Sequence, residues 1–582
     1  MFPEFADFKV EIKDLKFTTE SGLSYPKTAV LTFISSEGHL ESVHELGYLE
    51  EKDIFGIIQR GDPLVLDNCY IDKLSLADYR EHNKLDRKEI IQLEGFSARF
   101  SFFNSKSTID ISYAEITGGS VYLEESRFAR GSFSMNSSRI TKGGLNFSHA
   151  HLPEGAFNMA NLKVESGDIS FKNAIFGEGL IDFQDAEFGE GTVLFTNADF
   201  GDGDVSFINT NFGDGNVSFK VARFGTGKVD FHYAKFKDGD ISFERTEFGD
   251  GRADFRTAEF MNGRVNFNRS VFGDGDVTFE ASEIKKGKIS FKRTIFGEGI
   301  LDFELAEYDE ADVSFDRAVF DVGTVSFLNA RFKTLSLQSC HFDHYLDLRV
   351  AKCNHIDLSD TICRDIIDLM PYEFDLDVGT IDFSGMRLIG RIYIDWSKNR
   401  VKRIIRDQQE TSNRSKAEQF RTLKENFSIT GQYNDEDKAY LEFKRLESLA
   451  TLQESISKKP VSALWSYPSY WFKLVIFDWV GHYATNPVRV IISMMVMYTI
   501  FSVMFMLLTW FTSADIVSSL GDPDKLNVVV RSFYHCAITF LTIGYGDYYP
   551  SGFIRWFSGF VGFAGLVMVA YFTVAFVRKI LR

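Results

Sequence analysis

A hexapeptide near the end of the chain, Thr-Ile-Gly-Tyr-Gly-Asp, could bind a dehydrated cation through its main-chain oxygens; it occupies residues 542–547. Selective passage of K⁺ requires narrow, extended backbone whose carbonyl oxygens replace the water around the ion. Glycine adopts positive φ without steric cost, so Gly544 and Gly546 would permit such a conformation. Thr542 adds a hydroxyl oxygen at one end of the segment, and Asp547 follows at the other end, where it would lie at an outer mouth.

Apolar segments on both sides of the hexapeptide are long enough to cross a bilayer. Residues 490–511 carry no charge, and at ~1.5 Å per residue they span roughly 33 Å, against a hydrocarbon core of about 30 Å. We predict a first span over 488–512, a pore helix over 528–541 and a second span over 553–578. Non-helical backbone at membrane depth must be buried in protein or line water, which a re-entrant loop before the second span provides.

Residues 487–582 resemble a two-transmembrane potassium channel subunit, and the hexapeptide carries the resemblance. The resemblance implies that K⁺ is coordinated by the threonine hydroxyl and by filter carbonyls, at Thr542, Ile543, Gly544 and Tyr545, with Gly546 completing the filter. Asp547 would support the filter at its outer mouth. One departure is Leu541, which stands where this family often has a second threonine.

The resemblance also implies assembly and a bending point. One chain supplies one filter strand, so four copies must surround an axis, which predicts a homotetramer. Gly565, Gly562 and Gly559 are candidates for the glycine at which the inner helices of such channels bend. The alternative role for these three glycines is close helix packing through small residues. No arginine-rich helix of the voltage-sensing kind precedes the pore, so voltage is not the expected gate.

The charges around the two spans predict their orientation, because basic residues stay on the cytoplasmic side. Lys473 precedes the first span and Arg489 lies at its start, and Arg578, Lys579 and Arg582 end the second. The loop between the spans contains Asp515, Asp522 and Asp524 against Lys525. We therefore expect both termini and the large N-terminal region to be cytoplasmic, with the protein in the plasma (inner) membrane and in contact with its lipid.

The long region before the spans is a repeat array with a period of 12 residues. Phenylalanine recurs at that period from Phe171 to Phe327, and a second, mostly aromatic column runs from Phe176 to Phe332. Aliphatic or β-branched residues precede the first column by two positions, small residues precede the second, and Gly-x-Gly turns usually follow. Alternation with a period of two indicates short strands, and a fixed period indicates a solenoid.

This pattern resembles the pentapeptide-repeat family, which implies a right-handed quadrilateral β-helix. Each Gly-x-Gly turn adds two residues, so we interpret the 12-residue unit as two sides, of five and seven residues, and the coil as 24 residues. A 12-residue coil is the alternative. The solenoid is predicted over 101–396, with less regular repeats after residue 332.

The remaining segments complete a multi-domain prediction. Residues 1–100 are expected to form a small mixed domain that caps the solenoid, because exposed terminal coils invite end-to-end pairing. Residues 397–460 are predicted to form a helical hairpin, with one helix over Arg400–Phe427 and a second capped by Asn434. Residues 461–486 are rich in aromatic side chains and are predicted to lie along the inner membrane surface as an amphipathic segment.

Composition constrains partners and cofactors. The net charge of −18 disfavours nucleic-acid binding through basic patches. Acidic pentapeptide-repeat proteins can mimic DNA, so the alternative function is a membrane-anchored acidic solenoid that docks a partner beside a non-conducting pore module. The solenoid could equally modulate gating by binding a cytoplasmic protein or ligand. No nucleophile elbow, phosphate loop, zinc spacing or dinucleotide motif is present, which disfavours an enzyme.

Acidic turn residues and cysteines are the residue types in this sequence that could bind a metal ion. The acidic middle residues of the Gly-x-Gly turns could bind Ca²⁺, but calcium-binding rolls recur every nine residues with paired glycines, so we favour solvated turns and expect no cofactor apart from permeant K⁺. The cysteines show no metal spacing and are interpreted as small buried side chains in a reducing compartment. They are Cys69, Cys340, Cys353, Cys363 and Cys536.

Overall fold

The chain divides into two compact units, Met1–Gln408 and Gln409–Arg582. The computed structural model describes residues 2–321, 323–371, 376–519 and 526–581. Four charged residues used to predict the orientation lie outside these ranges: Asp522, Asp524, Lys525 and Arg582. The first unit contains a β-solenoid of about 14 turns, and the second is mostly helical and ends in two long apolar helices, which confirms the predicted fold class.

An antiparallel sheet begins the first unit and covers the open end of the solenoid. Its main strands are Asp7–Lys13, Lys27–Ile34 and Leu40–Tyr48, and Phe17–Thr18 pairs with Ser24–Tyr25 beside them. Phe33 of this sheet is buried against Phe102 of the solenoid, with ring centroids 5.5 Å apart. The sheet continues into the solenoid because the strand ending at Tyr48 pairs in parallel with Cys69–Ile71. The first coil is therefore not left as an exposed edge.

The solenoid begins earlier in the chain than the predicted boundary at residue 101. The strand Leu64–Val65 already pairs in parallel with Phe96–Ser97, one coil later. This first coil carries helix α2, Leu76–His82, and is preceded by helix α1, Glu51–Arg60. The inserted α2 and the absence of the repeated phenylalanine–glycine pattern hide this coil in the sequence.

A regular coil contains 24 residues, as predicted, because Val121 pairs with Leu145 and Leu145 pairs with Ile169. Four short strands follow one another round each coil and stack in parallel on those of neighbouring coils. The first face consists of Leu64–Val65, Phe96–Ser97, Val121–Tyr122, Leu145–Asn146, Ile169–Ser170, Val193–Leu194, Val217–Ser218, Ile241–Ser242, Arg264–Asn266, Gly287–Ser290, Glu307–Ser314, Arg331–Ser336, Lys352–Asp357 and Asp377–Asp382.

The other three faces follow in chain order round the coil. The second face contains Cys69–Ile71, the first residues of Phe102–Asp110 and of Arg127–Ser134, single bridging residues from His151 to Glu247, and then Val271–Phe272, Ile295–Phe296, Val319–Phe320, His341–Phe342, Ile362–Cys363 and Arg387–Leu388. The third contains the last residues of Phe102–Asp110 and of Arg127–Ser134, and then Phe157–Asn158, Ile181–Asp182, Val205–Ser206, Val229–Asp230, Ala253–Asp254, Val277–Thr278, Leu301–Asp302, Thr324–Ser326, Tyr345–Asp347, Ile366–Asp368 and Arg391–Tyr393. The fourth contains Ile91–Leu93, Ala114–Ile116, Arg139–Ile140, Lys163–Val164, Glu187–Phe188, Lys235–Phe236, Glu259–Phe260 and Glu283–Ile284.

Two phenylalanine columns fill the interior of the solenoid. Phe171 stacks on Phe195 of the next coil at 5.0 Å, with ring planes 4° apart. It also meets Phe183 of the opposite face edge-on at 5.7 Å and 86°. Offset stacking along the axis and edge-to-face contact across it are the two arrangements that aromatic rings prefer. The 12-residue period thus places one ring from each of two opposite faces in every coil.

The Gly-x-Gly turns hold neighbouring coils together through their backbones. A Cβ at Gly203 would lie 2.2 Å from the carbonyl oxygen of Gly179, so only glycine permits this approach. Acidic side chains in and after the turns accept backbone N–H groups of the next coil: the carboxylate of Asp202 accepts from Thr226 at 3.0 Å, and that of Asp204 accepts from Lys228 at 2.7 Å. These carboxylates therefore satisfy main-chain donors that the short strands leave unpaired.

The solenoid cysteines are buried thiols. Burial raises the pKa of Cys69, Cys340, Cys353 and Cys363 to about 12. A thiol needs a lowered pKa to act as a ligand or nucleophile near neutral pH. Among the residues that the structure describes, no group of three His, Cys, Asp or Glu side chains is arranged to hold a metal ion.

Helix α3, Val401–Arg406, ends the first unit, and the second unit is almost entirely helical. Its helices are α4 Asn413–Ile429, α5 Tyr433–Lys458, α6 Ala463–Lys473, α7 Pro487–Phe511, α8 Val528–Phe540 and α9 Ile554–Ile580. A 3₁₀ turn, Pro460–Ser462, precedes α6, and a π-helical segment, Leu474–Trp479, follows it. Two short strands, Ile516–Ser518 and Tyr548–Pro550, pair antiparallel.

Two details of the predicted helical hairpin are wrong. The helix predicted over Arg400–Phe427 is broken before α4, because the Ser412 hydroxyl accepts the N–H of Ser415 at 3.1 Å and starts a new helix. The second helix begins at Tyr433 after Gln432, so Asn434 lies inside its first turn and is not the cap. Several hydroxyl and amide side chains near each boundary could cap a helix, and the sequence does not show which of them begins it.

We expect Phe219→Ala to destabilise the solenoid by about 3–5 kcal/mol, because it leaves a cavity between stacked rings. Phe219 is fully buried between Phe195 at 4.8 Å and Phe243 at 4.9 Å. Leu305→Ala is the control, since this side chain lies at an exposed corner and should change stability by less than about 0.5 kcal/mol. Denaturant unfolding of the full chain in detergent, followed by circular dichroism, measures both. Equal midpoints would contradict the role of the rings.

Candidate functional site

Helices α7, α8 and α9 surround the predicted filter segment. Both α7 and α9 are long and apolar enough to cross a membrane, judged by length and composition. The shorter α8 packs between them, where Phe505, Cys536 and Val561 are buried in one cluster. Asparagine begins two of these helices: Asn486 accepts the N–H of Arg489 at 3.0 Å, and an equivalent cap begins α8. The chain therefore makes a span, a short helix, an irregular segment and a second span.

The segment Thr542–Asp547 has positive φ at both of its glycines. It follows α8 almost directly and belongs to no helix or strand. Positive φ recurs at every second residue, at Thr542 (+56°), Gly544 (+65°) and Gly546 (+78°). Threonine, unlike glycine, adopts positive φ at a steric cost, so the fold imposes this conformation.

Helix α8 holds the inner end of the segment. The N–H groups of Ile543 and Gly544 both donate to the carbonyl of Ile538, at 2.8 and 3.1 Å. The Thr542 hydroxyl donates to the carbonyl of Leu541 at 2.7 Å. The N–H groups of Ile543 and Gly544 thus have a hydrogen-bond acceptor in the last turn of α8.

A tyrosine that sequence reasoning missed holds the outer end. The Tyr534 hydroxyl, on α8, donates to Asp547 Oδ2 at 2.7 Å. The Asp547 carbonyl accepts the N–H of Ser519 at 2.8 Å. Asp547 is thus tied both to the short helix and to the loop after α7. The signal in the sequence was a tyrosine on the predicted pore helix, thirteen residues before the acid.

His535 is a second residue that the sequence did not reveal. It is buried, with Nδ1 at 3.3 Å from the Tyr548 carbonyl and Nε2 at 3.0 Å from Ser558 Oγ. A carbonyl only accepts, so Nδ1 donates to Tyr548. The imidazole therefore joins α8 to the strand after the filter segment and to α9, and it fixes their spacing.

Apolar side chains of the filter segment are left open to solvent in the single chain. Tyr545 is 73% exposed and Ile543 is 48% exposed. Leu541, immediately before the segment, is 49% exposed. Large apolar groups clustered on a narrow loop are typical of a surface that another chain covers.

The three candidate bending glycines have different surroundings. A Cβ at Gly565 would lie 1.8 Å from the carbonyl oxygen of Phe540, at the end of α8. At Gly562 the nearest atom, in Thr539, would be 3.7 Å away, and at Gly559 nothing lies within 4 Å. Gly565 therefore permits close packing of α9 on α8, and bending at any of the three stays a prediction.

Two basic residues at the end of α9 pair with acids of α5, chiefly with Asp437. Arg578 Nη2 lies 3.0 Å from Asp437 Oδ1 and 3.9 Å from Glu436 Oε1, and Lys579 Nζ lies 3.0 Å from Asp437 Oδ2. Both cations also face the carbonyl end of their own helix, which favours positive charge. The contact joins the end of the second span directly to the helical hairpin.

A buried ion pair joins the same hairpin to the segment before the first span. Asp478, in the π-helical segment, is 3% exposed and accepts from Arg445 Nε and Nη2, both at 2.8 Å. The hydrogen bonds to Asp478 raise the pKa of Arg445, so the guanidinium stays charged. Tyr571 of α9 donates to the Phe477 carbonyl at 2.9 Å beside it. Removing one partner of a buried pair typically costs about 3–5 kcal/mol.

Comparison with known proteins bears on the C-terminal region. A family model described as an ion channel matches residues 490–582. The match covers α7, the filter segment and α9, and leaves the solenoid and the hairpin outside it. No curated protein and no solved structure matches the chain at a significant level.

We expect Gly565→Ala to disrupt the packing of α9 on α8, because its methyl group would collide with the Phe540 carbonyl. The substitution should lower the melting temperature of the purified protein and reduce ion flux through it. Gly559→Ala is the matched control on the same helix, and it should be tolerated. Thermal unfolding and flux measurements in liposomes test both variants. Equal behaviour would show that α8 and α9 do not approach this closely.

Proposed function

Residues 490–582 are an ion-channel domain fused to a pentapeptide-repeat-like β-solenoid, and on this premise we propose that the protein is a subunit of a homotetrameric K⁺-selective channel. The observation that carries the proposal is the segment Thr542–Asp547, with its positive φ at alternate residues. Among the described residues, the carbonyl oxygens of Thr542, Ile543, Gly544 and Tyr545 accept no hydrogen bond, so they are available for an ion.

Ion selection would follow from four copies of this segment around one axis. Oxygens of Thr542, Ile543, Gly544 and Tyr545 would form successive rings that replace the water around K⁺. Ions in neighbouring rings would repel one another and so keep moving. Asp547, held by Tyr534, would stiffen the filter and raise the local concentration of cations at its mouth.

The tetramer is supported by the incomplete ion site and the uncovered apolar side chains of a single chain. A single filter strand surrounds no ion, and its apolar side chains Ile543 and Tyr545 are largely exposed. Neighbouring subunits would cover these side chains and complete each ring of oxygens. The other exposed apolar residues of α7 and α9 would face lipid or other subunits.

The protein would lie in the plasma (inner) membrane with both termini inside. Arg578 and Lys579 end the second span, and basic residues favour the cytoplasmic side. Helix α6 supports this placement, since Leu464, Trp465 and Trp471 are all more than half exposed. An aromatic, apolar helix surface before the first span suits the inner membrane–water interface.

Gating would be set by the helical hairpin acting on the end of α9. Asp437 neutralises part of the charge of Arg578 and Lys579. Four copies of α9 that converge at a closed inner gate would bring eight such cations together, so the four Asp437 carboxylates would stabilise the closed state. The solenoid would alter gating by moving the hairpin.

We expect Gly544→Ala and Gly546→Ala to abolish K⁺ selectivity without unfolding the solenoid, because alanine resists the positive φ at both positions. Uptake of ⁸⁶Rb⁺ into liposomes in competition with Na⁺ measures selectivity, and Gly559→Ala is the control outside the filter. Retained preference for K⁺ in either filter variant would count heavily against the proposal. Absence of flux from the unmodified protein under every stimulus would favour the alternative of a membrane-anchored docking protein.

We expect Asp437→Asn to raise the open probability, because the uncompensated cations of the four α9 helices would repel one another. The open-to-closed ratio should rise roughly fivefold or more, the range of a modest coupling energy. Asp435→Asn is the control two residues away; among the described residues, this carboxylate pairs with Lys438 of the same helix and not with α9. Single-channel recording in planar bilayers gives the ratio. An unchanged open-to-closed ratio in Asp437→Asn would show that the contact between Asp437 and the end of α9 has no role in gating.

A further inference from the structure

Four arginines form a ladder on one corner of the acidic solenoid, one per coil, at Arg245, Arg269, Arg293 and Arg317. The coils that carry them are hydrogen-bonded in register: the N–H of Arg245 donates to the Asn268 carbonyl at 3.1 Å, and the same bond recurs from the next two arginines. At ~4.8 Å per coil, the four positions span roughly 14 Å. We refer to these residues as the arginine ladder.

The solenoid does not need arginine at these positions. All four residues have φ between +57° and +61°, a conformation that asparagine tolerates and that arginine does not favour. Earlier coils place Asn173 and Asn197 at the same corner. In the same coils, the diagonally opposite corner also has positive φ, and its residues there are uncharged: Thr257, Ala281, Leu305 and Asn329. The backbone conformation therefore does not account for arginine at these four positions, and a role of the guanidinium groups does.

The charges of the ladder are not compensated within the chain. Among the described residues, the four guanidinium groups form no ion pair or hydrogen bond, and all four side chains are exposed. Other cations of the solenoid do pair across coils, as Lys163 does with Glu187 at 2.7 Å. Like charges stacked on neighbouring coils repel one another, so the ladder costs stability unless an anion binds.

The ladder opens onto a groove of about 530 Å³. Three of its arginines line this groove, together with Glu244, Asn268, Lys292, Asp316 and Gln338. The two acids already have partners, since Lys220 binds Glu244 at 3.0 Å and Lys292 binds Asp316 at 2.5 Å. The unpaired charge of the groove is thus positive, on a protein whose net charge is −18. The amide groups of Asn268 and Gln338 offer further hydrogen-bond donors.

We propose that the arginine ladder binds an oligophosphate, a ligand with two or three linked phosphate groups, either inorganic or in a nucleotide. The planar guanidinium fork matches phosphate oxygens in a bidentate manner. The size of the site favours a small ligand over a nucleic acid, because Val221 and Ser339 end the ladder on either side. This binding site does not depend on the proposed channel activity.

The test uses the full chain in detergent micelles and isothermal titration calorimetry at low salt. Inorganic tripolyphosphate and ATP are titrated separately to distinguish the two sources of phosphate, and citrate serves as a trivalent carboxylate. We expect tripolyphosphate, ATP or both to bind, with an affinity that falls as salt rises. Failure of both to bind the unmodified protein would overturn the proposal. Citrate binding as tight as that of the phosphates would also overturn it, since the site would then only attract anions.

The decisive variant is Arg269→Asn, Arg293→Asn and Arg317→Asn combined. Asparagine suits the positive φ at all three positions, so the solenoid should stay folded. Affinity should fall about a thousandfold, at roughly tenfold for each of the three charge-assisted contacts that are lost. The control combines Lys163→Asn, Arg223→Asn and Lys235→Asn, which removes three cations that pair with glutamates elsewhere on the solenoid. Equal loss in both variants would show an effect of net charge and exclude the site.

Discussion

The need of every main-chain polar group for a partner organises both units of this protein. In the solenoid, short parallel strands satisfy most groups, and turn carboxylates such as Asp202 and Asp204 satisfy donors that the strands leave. Near the end of the chain, α8 takes the N–H groups of Ile543 and Gly544. Among the described residues, the carbonyl oxygens of Thr542, Ile543, Gly544 and Tyr545 accept no hydrogen bond. In the proposed channel, a permeant ion would be their partner.

Glycine makes this arrangement possible in two distinct ways. In the turns, Gly203 and its equivalents bring backbone against backbone, so that a Cβ would overlap the preceding coil. Gly565 does the same where α9 crosses the end of α8. Gly544 and Gly546 meet no neighbour and are needed for their positive φ alone. Close approach and backbone handedness are therefore separate requirements, and a list of glycines does not distinguish them.

Charged side chains play two different roles in this protein, depending on whether they are paired. Arg445 of the helical hairpin pairs with the buried Asp478 of the π-helical segment, and Asp437 holds two cations at the end of α9. The arginine ladder differs because its charges face solvent without a partner among the described residues. Paired ions position helices, whereas an unpaired row of one sign is the feature that calls for a ligand.

The sequence by itself determined the 12-residue period, the phenylalanine interior and the order of long apolar helix, short helix, irregular segment and long apolar helix, because each depends on local spacing and residue type. It left the coil open between 24 and 12 residues, and the strand pairing showed 24. Only the tertiary structure showed which residues distant in the sequence pair or form hydrogen bonds. It showed that the solenoid starts at Leu64, that Ser412 interrupts the hairpin helix, and that Tyr534 and His535 hold the filter segment. These contacts join residues whose separation follows no period, so only the folded chain brings them together.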